Sequence, residues 1–262
     1  MAVADFACQA DAMHAVVINR IEADPQAALQ AAAQALGVTA FDVRPSMTAE
    51  PPVVLTVLAD AGHAAAVVAA LHAAGVHATV RPIDVAPSYV EVRQLEFSAT
   101  GLRVADRSGT PIDVPFAEVD ALIRVISTTV QSSTKEVRER KVSLARSMMT
   151  GGLMNTKVDK KQVTSRQTDS DELLYVYRGA AMPLRLSESE MTYQGLGKNL
   201  QPSRLANFNF IADELRRNAT QASFDDRLRK GANLGRMLGR TLSPDTHLEF
   251  AVGLVAAAVR GR

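Results

Sequence analysis

The sequence predicts an α+β chain: an N-terminal βαββαβ module, then an antiparallel β domain closed by a C-terminal helix and interrupted by a basic hairpin. Three observations carry this prediction. Residues 19–45 and 56–82 repeat one another, each continuing an apolar run into a helical pattern and a second apolar run. From residue 89, short strand-like runs recur between turn residues. Residues 135–166 carry nine bases against three acids, an excess of +6 in a chain whose total is +1.

In the first repeat, residues 15–21 read as a strand and Asp24 as the N-cap of a helix, its carboxylate placed to accept free amide protons. Pro25 fits the first helical position, where its missing N–H removes no bond. Leu29, Ala32, Ala33 and Leu36 recur at helical spacing, and Gly37 suits a left-handed C-cap. Residues 41–44 then read as a second strand. The second repeat follows the same order: a strand at 53–58, Asp60 as N-cap, Val67, Leu71 and Ala74 at helical spacing, Gly75, and a strand at 78–83. Two strand–helix–strand units give βαββαβ over residues 13–86, the ferredoxin-like arrangement, with two helices on one face of a four-stranded sheet. Its strands offer no aromatic pair for base stacking, and it has no CxxC for a metal. His63 and His72 are nine residues apart and share no helix face at i, i+4, so His63, His72 and His77 read as surface residues.

The second domain spans 89–220, with the insert at 127–170. Strand runs are expected around Val90, Val92 and Leu95, at 95–97, 102–104 and 112–114, and from 121 to 126, with turns at 99–101 and 106–110. Strand character resumes at 173–177 and 183–186. Asp169, Asp171 and Glu172 read as a solvated acidic loop, and the glycines of YQGLG as a turn, because no phosphate-loop context surrounds them. Ser203 caps a helix whose apolar stripe is Leu205, Phe208, Ile211, Ala212 and Leu215, with Asn218 as terminator. Strands closed by one such helix, and the phrase FSATGLRVADRSGTPIDVPFAEVDALI, resemble the pleckstrin-homology/GRAM-like fold over residues 89–218. RERKVSLARSMMTGGL and YQGLGKNLQPSRLANF also resemble phrases of an uncharacterised group of bacterial proteins. That resemblance transfers no functional residue.

Within the insert, 125–142 and 158–168 read as polar extended arms, and SLARSMMTGGLM as a short helical tip capped by Ser143. Lys135, Arg138, Arg140, Lys141, Arg146, Lys157, Lys160 and Lys161 supply charge, while Leu144, Met148, Met149 and Leu153 supply an apolar tip. Three readings stay open: a solvated hairpin whose apolar tip folds back on the protein or, by self-association, on a second subunit, contact of bases and apolar tip with an anionic membrane surface, and docking of a protein partner. The insert has no aromatic to stack on bases, which argues against nucleic acid, as does the near-neutral total charge. After residue 220, Phe224, Leu228, Leu234, Met237 and Leu238 form one helical stripe. Ser243 opens another helix, with Leu248, Val252, Val255 and Val259 on one side; together these make a C-terminal helical segment, 221–262.

With 47% apolar and 22% charged residues the composition is that of a globular protein, and only 5% aromatics means an aliphatic core. The single Cys8 excludes an internal disulfide and a thiolate cluster, and fits a reducing cytoplasm. The first residues, with Asp5 and Asp11 and no base, do not read as a signal peptide. The apolar run at 250–259 is far shorter than the ~20 residues of a membrane span. The expected location is therefore the cytoplasm or the membrane periphery. No Ser/His/Asp, Cys/His, paired-carboxylate or metal-ligand spacing emerges, and His247 has no acidic or nucleophilic neighbour. The expected function is non-enzymatic docking or scaffolding without cofactor or metal. The alternative is a small-ligand sensor, or the regulatory subunit of an enzyme, using the N-terminal module.

Overall fold

A computed structural model describes residues 13–83, 88–141 and 157–261, with side chains outside 129–169. The chain forms two compact units: residues 1–127 with 171–262, and Thr128–Ser170.

The first unit begins β1 (His14–Ile21), α1 (Pro25–Leu36), α2 (Ala40–Met47), β2 (Val53–Leu58), α3 (Ala61–Ala73) and β3 (Val76–Pro82). Asp24 accepts from the amides of Gln26 at 3.0 Å and Ala27 at 3.1 Å, and Gly37 closes α1 at φ 66°. Asp60 caps α3 through the amide of His63. Ala28, Ala32, Ala64, Val67 and Leu71 turn inward onto Val16, Ile18, Val53 and Val76. Short alanine side chains on that face let helix and sheet approach closely.

Two expectations for this region are overturned. The sheet has three strands, antiparallel, in the order β2-β1-β3. Residues 41–44, expected as a strand, belong to α2. The cause is local: Thr39 and Asp42 form a capping box, in which the Asp42 carboxylate accepts from the Thr39 amide at 3.2 Å and its hydroxyl at 2.6 Å. The matching stretch of the second repeat, Val76-His77-Ala78-Thr79, has no such cap and pairs with β1 instead.

The chain continues through β4 (Val90–Val92), β5 (Gln94–Phe97), β6 (Gly101–Ala105), β7 (Pro111–Pro115), β8 (Val119–Lys141), β9 (Lys157–Arg178) and β10 (Ala181–Ser187). Then come α4 (Arg204–Asn218), β11 (Ser223–Asp225), α5 (Gly231–Leu238) and α6 (Leu248–Arg260). Two sheets result, β11-β8-β9-β10-β4 and β5-β6-β7, and the chain steps between them at Arg93. Along β8 and β9 the side chains alternate between two cores. Leu122, Leu174 and Val176 join Leu95, Leu102, Val104 and Val114 of the smaller sheet, under Phe208, Ile211 and Leu215 of α4. Ala121, Ile123, Val125, Leu173 and Tyr175 face the other way, into a core shared with Leu234, Met237 and Leu238 of α5 and Val252 and Val255 of α6. That same core takes in Ala15, Val17 and Val54 from the second face of the N-terminal sheet. Helices α5 and α6 thus pack into a core shared by two sheets. Their elements also differ from expectation: Phe224 lies in β11, Leu228 in a 3-10 turn, and helix α6 starts at Leu248, one turn after Ser243, whose carbonyl accepts from the amide of His247.

The second unit contains the remaining parts of β8 and β9, which are neighbours in the sheet. The expected tip, with its Ser143 cap, lies outside the described residues. No described helix is long and apolar enough to cross a membrane.

Candidate functional site

Of the residues singled out for docking, Lys135, Arg138, Arg140 and Lys141 fall on β8, and Lys157, Lys160 and Lys161 on β9. Leu144, Arg146, Met148, Met149 and Leu153 lie outside the described residues. Among the described residues, 128–141 and 157–170 have no strand neighbour but each other, since β11 pairs with β8 at 121–123 and β10 with β9 from 173 onward. Unit Thr128–Ser170 holds nine bases and four acids, an excess of +5; with the whole chain at +1, the remainder stands at −4. The positive charge is therefore segregated in the segment that carries the two-stranded ribbon.

The expected acidic loop at 169–172 is instead strand. Asp171 accepts from the Ser187 hydroxyl at 2.6 Å and the Ser189 amide at 2.9 Å. Glu172 is buried, with one oxygen paired to Arg124 and the other to Arg229 at 2.8 Å. Arg124 also donates to Asn209 and lies over the Phe208 ring, 5.7 Å from its centroid. Sequence spacing had no means of showing this, because the partners come from β8, β9, α4 and the turn before α5.

A second polar network ties α6 to the central sheet. Glu249 accepts from the Tyr175 hydroxyl at 2.9 Å and from Arg185 at 2.6 Å, and Arg185 also pairs with Glu91 at 2.7 Å. The Tyr89 and Tyr175 rings meet edge to face at 5.1 Å. Burial is the main cause that pushes the hydroxyls of Tyr89, Tyr175 and Tyr193 well above the usual tyrosine range, and Tyr177 up to about 12. Burial opposes the charge on Arg185, but its bonds to Glu91 and Glu249 raise it further above the usual range. Tyr175, Arg185 and Glu249 are thus occupied in holding α6 to the central sheet.

Space for a partner in the first unit opens beside β2. One cleft, of about 500 Å³, runs between α2 and α5 and is lined by Leu36, Val43, Leu55, Gly235, Arg236 and Arg240 among others. A neighbouring cleft of about 460 Å³ includes Thr48, Glu50, Arg227 and Asn233, and shares Pro45 and Arg236 with the first. Arg227 is held there by Asp225 at 2.9 Å and by Glu50 at 3.2 Å. Arg236 and Arg240 are exposed and make no ion pair among the described residues. Phe41 is 73% exposed one residue from Asp42, which lines the cleft. No sequence motif points to this groove. The one signal for it is the spacing Gly231, Gly235, Gly239, which places glycines one turn apart along α5 and at its C-cap.

The YQGLG glycines form a turn, as expected. A Cβ on Gly195 would lie 2.3 Å from the Leu95 carbonyl oxygen, so this glycine admits the backbone of β5. His72 bonds through Nε2 to the Ala78 backbone at 2.7 Å, and His77 pairs with Glu22 at 3.1 Å. No group of three His, Cys, Asp or Glu among the described residues is arranged to hold a metal.

Compared with known proteins, the chain matches no family model, no curated protein and no solved structure.

Proposed function

We propose that this is a non-enzymatic docking protein whose basic ribbon engages an anionic surface: first a membrane leaflet, and second an acidic protein partner. The observation that carries the reading is the charge segregation, +5 in Thr128–Ser170 against −4 in the rest. Each Lys or Arg near an anionic leaflet contributes about 1 kcal/mol before screening. Apolar residues between basic arms add a second contribution, and two together suffice for reversible attachment. The ribbon's polar composition also suits a surface contact better than a buried one.

The same reading extends to the fold. The order β2-β1-β3 supports reading the N-terminal module as a ferredoxin-like sheet without its outer strand, and the seven strands β4 to β10 followed by α4 support a PH-like reading, from which the parallel pairings β10·β4 and β11·β8 depart. The first unit then serves as a scaffold for the ribbon.

Co-sedimentation with vesicles tests the proposal. Binding is expected to vesicles containing phosphatidylserine, not to pure phosphatidylcholine, and to fall as salt rises. Lys157→Glu/Lys160→Glu/Lys161→Glu should weaken it by about 3 kcal/mol or more, over a hundredfold. No binding at low salt rejects the membrane as partner. The polar cleft around Thr48 and Asn233 favours a second reading, a small-ligand sensor or regulatory subunit built on the N-terminal module. A thermal-shift screen with amino acids and nucleotides addresses it: no stabilisation rejects that reading.

A further inference from the structure

We propose that the groove between α2 and α5 binds an extended segment of a partner protein, apolar in character and bearing a carboxylate, laid along the outer edge of β2. This is a second docking site, independent of the basic ribbon.

Among the described residues, the sheet order leaves β2 at an edge, paired with β1 alone. No hydrogen bond reaches it from outside that pairing among the described residues. Two other edges, β3 and β7, are guarded. Strand β3 is exposed at His77 and Arg81 and ends in Pro82, and β7 begins and ends with proline. Charge and proline discourage strand addition. By contrast, β2 reads VVLTVL, with no charge and no proline. Its register shifts so that Val16 faces Thr56 and Val17 faces Val54, which makes Leu55 the extra residue of a bulge. A bulge spoils pairing over the full strand, and Gly239 approaches Val54, where an added Cβ would stand 3.1 Å from its carbonyl oxygen. The edge left open is the short stretch after Leu55, which begins at the cleft with Thr56.

The walls define what fits. Leu36, Val43 and Leu55 offer apolar contact, and Gly235 leaves open space, since a Cβ added there would meet nothing within 4 Å. Arg236 and Arg240 supply two exposed cations that form no ion pair among the described residues. Asp42 faces the same cleft, but its carboxylate is occupied by Thr39, and the pull of Arg240 on it is the smallest of the influences there. Main-chain pairing, apolar pockets and a charge contact are the elements of recognition by strand addition. A second copy of the chain fits less well. Antiparallel pairing of β2 with itself requires a two-fold axis perpendicular to the sheet, which keeps α5 and its partner on one face and sets their arginines side by side.

The test uses the full chain and short random peptides displayed on phage. Selected peptides should combine apolar residues with Asp or Glu. Synthetic versions should lose at least about tenfold in affinity on Gly235→Trp, which fills the groove without changing charge, and on Arg236→Glu/Arg240→Glu. They should bind Lys157→Glu/Lys160→Glu/Lys161→Glu as they bind the unaltered chain, which separates this site from the ribbon. Bound peptide should slow amide exchange at Thr56 to Leu58. Unchanged melting temperatures show that the variants remain folded. The proposal is overturned if no peptide is enriched, if binding follows the ribbon lysines, or if protection falls elsewhere. It is also overturned if sedimentation finds a dimer that Gly235→Trp dissociates, because the occupant is then a second copy.

Discussion

Glu172 neutralises two guanidinium groups at once, Arg124 and Arg229, which lie 48 and 57 residues away along the chain. Removing one partner of a buried pair costs about 3–5 kcal/mol, because the remaining charge stays out of water. Glu172→Ala therefore should destabilise the protein by about that amount in urea unfolding; a loss below about 1 kcal/mol would show that the arginines re-hydrate freely. Gly195 makes a different demand, since its missing Cβ is what allows Leu95 to approach. Gly195→Ala should cost about 1–3 kcal/mol through overpacking. Gly235→Ala, where a Cβ meets nothing, is the control and should not destabilise.

At the scale of elements, capping chemistry decides between helix and strand. Thr39 and Asp42 start α2 in a stretch whose repeat partner is a strand. The hydrogen bonds from Thr39 hold the Asp42 carboxyl below its ordinary value of 3.8. A carboxyl lowered by folding stabilises above that value, and the contribution fades as pH falls through the depressed value. The difference in melting temperature between the unaltered chain and Asp42→Asn should therefore shrink below pH 3.8 and stay constant above it. The tyrosines behave oppositely. All four are raised, so their contribution is complete below pH 10 and is lost as pH rises past it, toward about 12 for Tyr177. Tyrosinate absorbance should appear in one step together with unfolding. A gradual rise near pH 10 with the circular dichroism unchanged would contradict the burial of these hydroxyls.

For the whole molecule, the decisive feature is the core that α5 and α6 share with two sheets. An isolated fragment 13–86 would expose Ala15, Val17 and Val54, which are fully or almost fully buried in the protein. Such a fragment should show no cooperative thermal transition, whereas one with a sharp transition would mean the module is self-sufficient. Net charge also belongs at this scale. The value of +1 conceals a basic ribbon and an acidic remainder, and it is their separation that makes docking the favoured reading.

The α+β class, the caps at Asp24, Asp60 and Ser203, the stripe of α4 from Phe208 to Leu215 (though not Leu205, which is exposed) and the basic character of 135–166 all followed from sequence by itself. Each depends on interactions within a few residues or on simple counting. Tertiary structure alone decided the rest: three strands instead of four, a buried Glu172 where a solvated loop was expected, α5 and α6 between two sheets, and the groove beside β2. The reason is physical. Burial of a charge and the opening of a groove depend on which faces meet after the chain has folded, and residues 15, 121 and 252 meet in one core although nothing in their spacing connects them.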